Sequence, residues 1–277
     1  MLFLSGGYGF SAPAKSEKMV LRFVSIDKVA DRSQDFTEVS GLSLSENGGF
    51  WAVSDDTARL FRLDQAGKVR KKETLHAVPG LEGVTFDPAG GRILAVREDT
   101  SEILDVGRDG RITRHPILAM QGAGSLVEHF KESDSNDGLE GITIDPETGT
   151  VFVVKERDPR LLIEVSPDLG QVRRIVPLTG SAGFVSDRAE DDRLDVSGLA
   201  WDGQRQGLWI TSDTGQALYF FCFATMQARG WALMRDAGGK SRRVANAEGV
   251  ALSLDGQTIF IVTDDGKDSR LLTYRID

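Results

Sequence analysis

The sequence predicts an all-β fold: a five-bladed β-propeller of four-stranded antiparallel blades, closed by an N-terminal strand. Three observations carry this. One phrase recurs five times along the 277 residues. Each copy splits into short β-branched strands around a turn of Gly, Asp or Pro. The stretch after the last anchoring glycine and the stretch before the first together make one repeat unit, the fifth.

The copies read "EVSGLSLSENGGFWAVSDD" from Glu38, "GLEGVTFDPAGGRILAVRED" from Gly80, "GLEGITIDPETGTVFVVKERDP" from Gly138, "DVSGLAWDGQRQGLWITSDTG" from Asp195 and "NAEGVALSLDGQTIFIVTDDG" from Asn246. Their anchoring glycines, Gly41, Gly83, Gly141, Gly198 and Gly249, are spaced by 42, 58, 57 and 51 residues. Within a copy, "GVTFD" and "RILAVRE" flank "PAGG", and "GITID" and "TVFVVKE" flank "PETG", which is hairpin chemistry. A third and a fourth strand follow, as in "EILDVG-RDG-RITRHPI" and "LLIEVS-PDLG-QVRRIVPL". Four antiparallel strands repeated at this period are the signature of a propeller blade.

After Gly249 only 28 residues remain, enough for three strands, whereas the 22 residues from Met19 to Gly41 contain the strand-like "VLRFVSI". The N-terminal strand therefore completes the last blade and removes an open edge. Residues 19–277 form the propeller domain, and residues 1–18 are an N-terminal arm or the remnant of a removed signal. A six-bladed alternative would need a degenerate blade within 118–138 or 180–195; both read instead as polar loop insertions.

Composition excludes several classes. A net charge of −9, without a basic stripe, argues against nucleic-acid binding. The single cysteine, Cys222, permits no intramolecular disulfide. No apolar run reaches the roughly 18–20 residues of a membrane span. The 31 glycines fit a chain rich in tight turns.

The repeat also places acids. The residue before each anchoring glycine opens the first strand, giving a column of Ser40, Glu82, Glu140, Ser197 and Glu248. The residue closing the second strand gives Asp55 or Asp56, Glu98, Glu156, Asp213, and Asp264 or Asp265. In an antiparallel hairpin the start of one strand lies beside the end of the next, so both columns meet at one rim of the channel. Ionised carboxylates gathered there repel one another by roughly 3 kcal/mol per pair at ~6 Å and an effective dielectric near 20. Protons, basic partners or a cation must offset this, and Arg97 and Lys155, each preceding a closing acid, are candidate ion-pair partners. Oxygen ligands in loose geometry suit calcium. Zinc is disfavoured, because His76, His115 and His129 lie outside the columns. The expected metal ligands are Glu82, Glu140, Glu248, Glu98, Glu156, Asp213 and Asp264.

The phrases "GLEGITIDPETGTVFVVKERDP", "VSGLSLSENGGFWAVSDD" and "AEGVALSLDGQTIFIVTDD" resemble the SdiA-regulated family of bacterial β-propellers, over about residues 25–277. The resemblance implies a five-bladed ring, calcium near the rim, no assigned activity and a place in the periplasm or cell envelope; a cytoplasmic location follows if the N-terminus is no signal remnant. More distantly the chain is similar to calcium-dependent gluconolactonase and senescence-marker-type propellers, whose metal-binding Glu stands in an E-G pair as Glu82, Glu140 and Glu248 do.

Two functions compete. One is a calcium-binding recognition module, monomeric, taking an unknown small molecule or protein at the channel rim. The alternative is a calcium-dependent hydrolase of lactones, esters or phosphoesters. Ser40, Ser54, Ser197 and Ser212 flank the rim, but none has a G-x-S-x-G context or a histidine nearby in sequence.

Overall fold

The computed structural model describes residues 19–131, 138–236 and 238–277; the N-terminal arm lies outside them. The chain enters as β1 (Leu21–Lys28), the outermost strand of the last blade. Blade 1 follows as β2 (Val39–Leu44), β3 (Phe50–Ser54), β4 (Arg59–Leu63) and β5 (Leu75–His76). Blade 2 is β6 (Leu81–Asp87), β7 (Arg92–Arg97), β8 (Glu102–Val106) and β9 (Ile112–Pro116). Blade 3 is β10 (Leu139–Ile144), β11 (Val151–Lys155), β12 (Leu161–Val165) and β13 (Val172–Pro177). Blade 4 is β14 (Leu199–Asp202), β15 (Gly207–Ser212), β16 (Ala217–Cys222) and β17 (Gln227–Ala232). A small hairpin of β18 (Met234–Asp236) and β19 (Ser241–Arg243) precedes blade 5, which is β20 (Ala247–Leu252), β21 (Thr258–Thr263), β22 (Arg270–Ile276) and then β1.

The architecture is thus the five-bladed ring expected from the repeat, with β1 paired antiparallel to β22 from Leu21↔Ile276 to Lys28↔Arg270. The first strands of the blades are innermost and touch in a closed circuit, β2 to β6, β6 to β10, β10 to β14, β14 to β20 and β20 to β2. Apolar residues of successive blades interdigitate between the sheets: Leu94, Val96 and Ile103 of blade 2 share a core with Ile142, Val153 and Ile163 of blade 3.

The anchoring glycines form the waist of this circuit. A Cβ on Gly41 would lie 2.6 Å from the Glu82 carbonyl oxygen and 3.0 Å from the Gly83 Cα. One on Gly249 would lie 2.5 Å from the Leu42 nitrogen. Gly83, Gly141 and Gly198 press on the next blade in the same way, against the carbonyls of Glu140, Ser197 and Glu248. The register also shifts at Val39/Gly41, Leu81/Gly83, Leu139/Ile142 and Ala247/Val250, so the glycines of blades 1, 2, 3 and 5 sit at bulges as well.

The described parts of the two insertions are more than polar loops. Residues Ile117–Ala119 and Ala123–Ser125 form 3-10 turns and Leu126–Lys131 forms helix α1. Ile117 and Leu126 are buried in the core between blades 2 and 3. In the second insertion Phe184 and Leu194 are buried, and Arg160 holds the loop by bonds to the carbonyls of Leu178 (2.9 Å) and Leu194 (2.7 Å) and to the Asp191 carboxylate (2.5 Å). No helix of the described residues is long and apolar enough to cross a membrane.

Candidate metal centre

The two acid columns meet as strand geometry requires. At the open end of each hairpin a backbone bond ties closing to opening strand: Glu156 N donates to the Gly138 carbonyl (2.9 Å) and Asp264 N to that of Asn246 (2.8 Å). Facing the channel there is a cavity of about 340 Å³. Glu82, Glu140, Glu248, Glu98, Glu156, Asp213 and Asp264 all line it. Of the pairs that the sequence left open, Asp55 and Asp264 reach the cavity wall, and Asp56 and Asp265 do not.

The carboxylate oxygens of Glu98, Glu140 and Glu156 lie within 4.8 Å of one another. Glu98 crosses from blade 2 to do this, accepting the Gly138 N–H of blade 3 at 3.2 Å. A second group, Glu38, Asp55 and Asp56, shows the same closeness in blade 1. Glu38 has a left-handed backbone (φ 52°). Its carboxyl is pushed up to about 7 by its hydrogen bond with Asp56, then by burial.

Burial and mutual repulsion raise the acids of the wall. Glu82 is pushed up to about 8, by desolvation first and then by Asp55 and Glu98, while the Ser40 hydroxyl opposes the rise. Glu248 is held well above the usual carboxylate range by desolvation, then Asp213 and Asp195, with the Ser197 hydroxyl opposing. Glu140 is likewise held well above that range by desolvation, then by Glu82, Glu248, Glu156 and Glu98. Desolvation is also the first cause of the raised values of Asp55, Asp213 and Asp264.

Neither basic residue that the sequence offered is among those lining the cavity. Lys155 is fully buried; its ammonium donates to the carbonyls of Arg157 and Asp158 and lies 5.5 Å from the Phe130 ring centroid. Arg97 pairs with Asp99 at 2.7 Å. Arg157 lines the cavity instead, 3.6 Å from Glu156. Asp195 is a further wall residue that the columns missed. It is buried, and its carboxylate accepts the Ser212 hydroxyl (2.6 Å) and the Thr214 N–H (3.0 Å). A signal for it existed: where the opening residue is serine, an acid stands two positions earlier, Glu38 before Ser40 and Asp195 before Ser197.

Among the described residues, nine carboxyl groups and one guanidinium therefore line this cavity. His76 and His115 lie on the outer strands β5 and β9, and His129 on α1, so the wall offers oxygen donors. Such a set is chemically fitted to a hard cation.

Comparison with solved structures agrees on the fold. The chain is similar to a glutaminyl cyclase of Myxococcus xanthus (TM-score 0.58, 14% identity, covering 94% of this chain and 97% of that one). It is similar to a gluconolactonase of Xanthomonas campestris (TM-score 0.54, 12% identity, 93% and 95%). A PQQ-bound aldose sugar dehydrogenase of Streptomyces coelicolor also superposes (TM-score 0.52, 14% identity, 94% and 99%). Likeness at such identities speaks for architecture alone. The SdiA-regulated family matches residues 118–265, more than half of the chain, taking in blades 3 and 4 and the two inner strands of blade 5. With that span matched, the protein belongs to the SdiA-regulated family.

Proposed function

We propose that this propeller is a calcium-binding recognition module whose ion is held at the acidic mouth of the channel. The observation that carries the reading is the group of Glu98, Glu140 and Glu156, with carboxylate oxygens within 4.8 Å of one another. At roughly 5 Å and an effective dielectric near 20, each ionised pair in it costs about 3 kcal/mol, which a divalent cation would reverse. These three glutamates would hold the ion, with Glu82 beside them and water filling the loose shell that calcium accepts. Glu248, Asp213 and Asp264 would serve as outer acids of the same field. On this reading the protein acts as a monomer, in the bacterial periplasm or cell envelope as the family resemblance implies, and presents its rim to a small molecule or protein.

A second reading, a hydrolase of lactones, esters or phosphoesters, is favoured by one feature. Glu82, at about 8, lies on the wall of an open cavity and is suited to take and return a proton near neutral pH. A bound cation would polarise a substrate oxygen. Arg157 would orient an anionic group on that substrate.

The test is thermal unfolding of chelator-stripped protein with calcium, then magnesium, titrated back. A calcium-specific rise in melting temperature supports the reading, since tight native-state binding stabilises by linkage. No shift with either ion sinks both readings. Turnover of δ-gluconolactone or p-nitrophenyl phosphate by the calcium-loaded protein, lost in Glu82→Gln, would select the second.

A further inference from the structure

The inner strands differ at their two ends. One position before the glycine stand the acids; three positions after it stand Leu44, Phe86, Ile144, Trp201 and Leu252, large and apolar in every blade. All five line a second cavity, of about 600 Å³, at the opposite mouth of the channel. It shares no wall residue with the acidic cavity, and the glycine waist lies between them.

Three features make this a built site. First, Leu44, Phe86, Trp201 and Leu252 are only half-buried, so apolar surface is left accessible inside a concave wall. Trp201 is a fixed platform, stacked on Phe152 at 5.4 Å and 9°. Second, Thr85 is part of the wall and 4% exposed, yet its hydroxyl has no hydrogen-bond partner among the described residues. Thr143, next to it in the ring, accepts the Trp201 N–H at 3.1 Å and keeps its own proton to donate. Third, charge is already settled there. Glu46 is paired with Arg108, and Asp202 with Arg205 at 2.8 Å, leaving the exposed Glu147 at the lip.

We propose that this mouth binds a small uncharged molecule with an apolar body and a hydrogen-bond-accepting oxygen, its body against the collar and its oxygen on the Thr85 hydroxyl. The size lies within the roughly 300–1,000 Å³ of ligand cavities, with mainly apolar walls and few polar groups. A charge carried into the apolar collar, past the lip, would lose its hydration without gaining a partner.

The probe is 6-propionyl-2-(dimethylamino)naphthalene, a neutral naphthalene with one ketone, titrated into the full chain. Saturable one-to-one binding with blue-shifted emission is expected, unchanged by chelator. Leu252→Glu should weaken it about tenfold by placing a charge in the collar. Thr85→Val should weaken it about threefold to tenfold. Leu254→Glu, at a lip side chain 91% exposed, gives the same comparison if Leu252→Glu fails to fold. Absence of saturable binding overturns the proposal. So does binding indifferent to both collar and lip charges in variants whose melting matches the parent. A dimer in sedimentation that Leu254→Glu splits overturns it in favour of a second copy of the chain.

Discussion

Glu82, Glu140 and Glu248 hold one position in the repeat, yet their surroundings differ. Around the ring the order is Ser40, Glu82, Glu140, Ser197, Glu248. Each of two glutamates follows a blade that supplies a serine, and the hydroxyls of Ser40 and Ser197 act on Glu82 and Glu248 to stabilise their charged forms. Glu140 follows Glu82 instead, and the leading influences on it all favour the proton. Equivalent backbone positions thus carry unequal chemistry, because in a ring the neighbouring blade completes each site. The difference teaches where mutual repulsion is least relieved, between blades 2 and 3, which is where the proposed ion would sit.

The sharpest way to break this comparison is to neutralise the odd glutamate. Glu140→Gln should abolish the calcium-induced rise in melting temperature. In the parent that rise should be on the order of 5–15 °C at 100- to 1,000-fold excess over Kd. Ser197→Ala should keep most of it. Scanning calorimetry of the two variants decides; a Glu140→Gln protein that still responds fully would move the ion elsewhere.

The next effect is on pH. Glu82 is raised from 4.5 to about 8, so the native state keeps a proton that the unfolded chain releases. Its contribution is fully present below pH ~4.5 and is lost as pH rises toward 8, at about 1.4 kcal/mol per unit between. For chelated protein this means a fall of roughly 3–5 °C per pH unit over that window. With saturating calcium the slope should flatten or reverse, since the ion needs the deprotonated ligand. A chelated protein that gains stability from pH 5 to 8 would contradict the assignment.

Blade 4 supplies a smaller effect. Its Asp195 is satisfied within its own blade by Ser212 and Thr214. Asp195→Ala leaves those donors buried and should cost about 1–3 kcal/mol in urea unfolding. The calcium response should survive. Smallest of all is Ser40→Ala, which removes the hydroxyl opposing the rise at Glu82. The Glu82 titration, followed by carboxyl NMR, should move up, by under about one unit for a single hydrogen bond.

Much of this was legible in the sequence because repetition reports position. The glycine fixes the inner strand, and the residues on either side of a hairpin follow from strand parity, so the column holding Glu140 and the column holding Glu156 fall at one rim. Parity was less informative where the hairpin length changes, and only the structure separates Asp55 from Asp56. Lys155 shows a different limit. Adjacent to Glu156, it is fully buried, with its ammonium over the Phe130 ring. Arg157 reaches the cavity from beyond the strand end, where no periodicity applies. The hairpin of β18 and β19 was invisible because "MRD" and "SRR" carry no apolar alternation. Leu126 was hidden in a segment whose composition is mostly polar, though it fills the core between two blades.

The shared last blade has a consequence for ancestry. Because β1 and β22 lie side by side, both ends of the ring sit in one blade, with Val20 and Asp277 bonded to each other through their backbones. The ring is closed by the chain's own first strand, so a repeat unit gained or lost at one of the internal connections between blades would leave the join between the ends as it was.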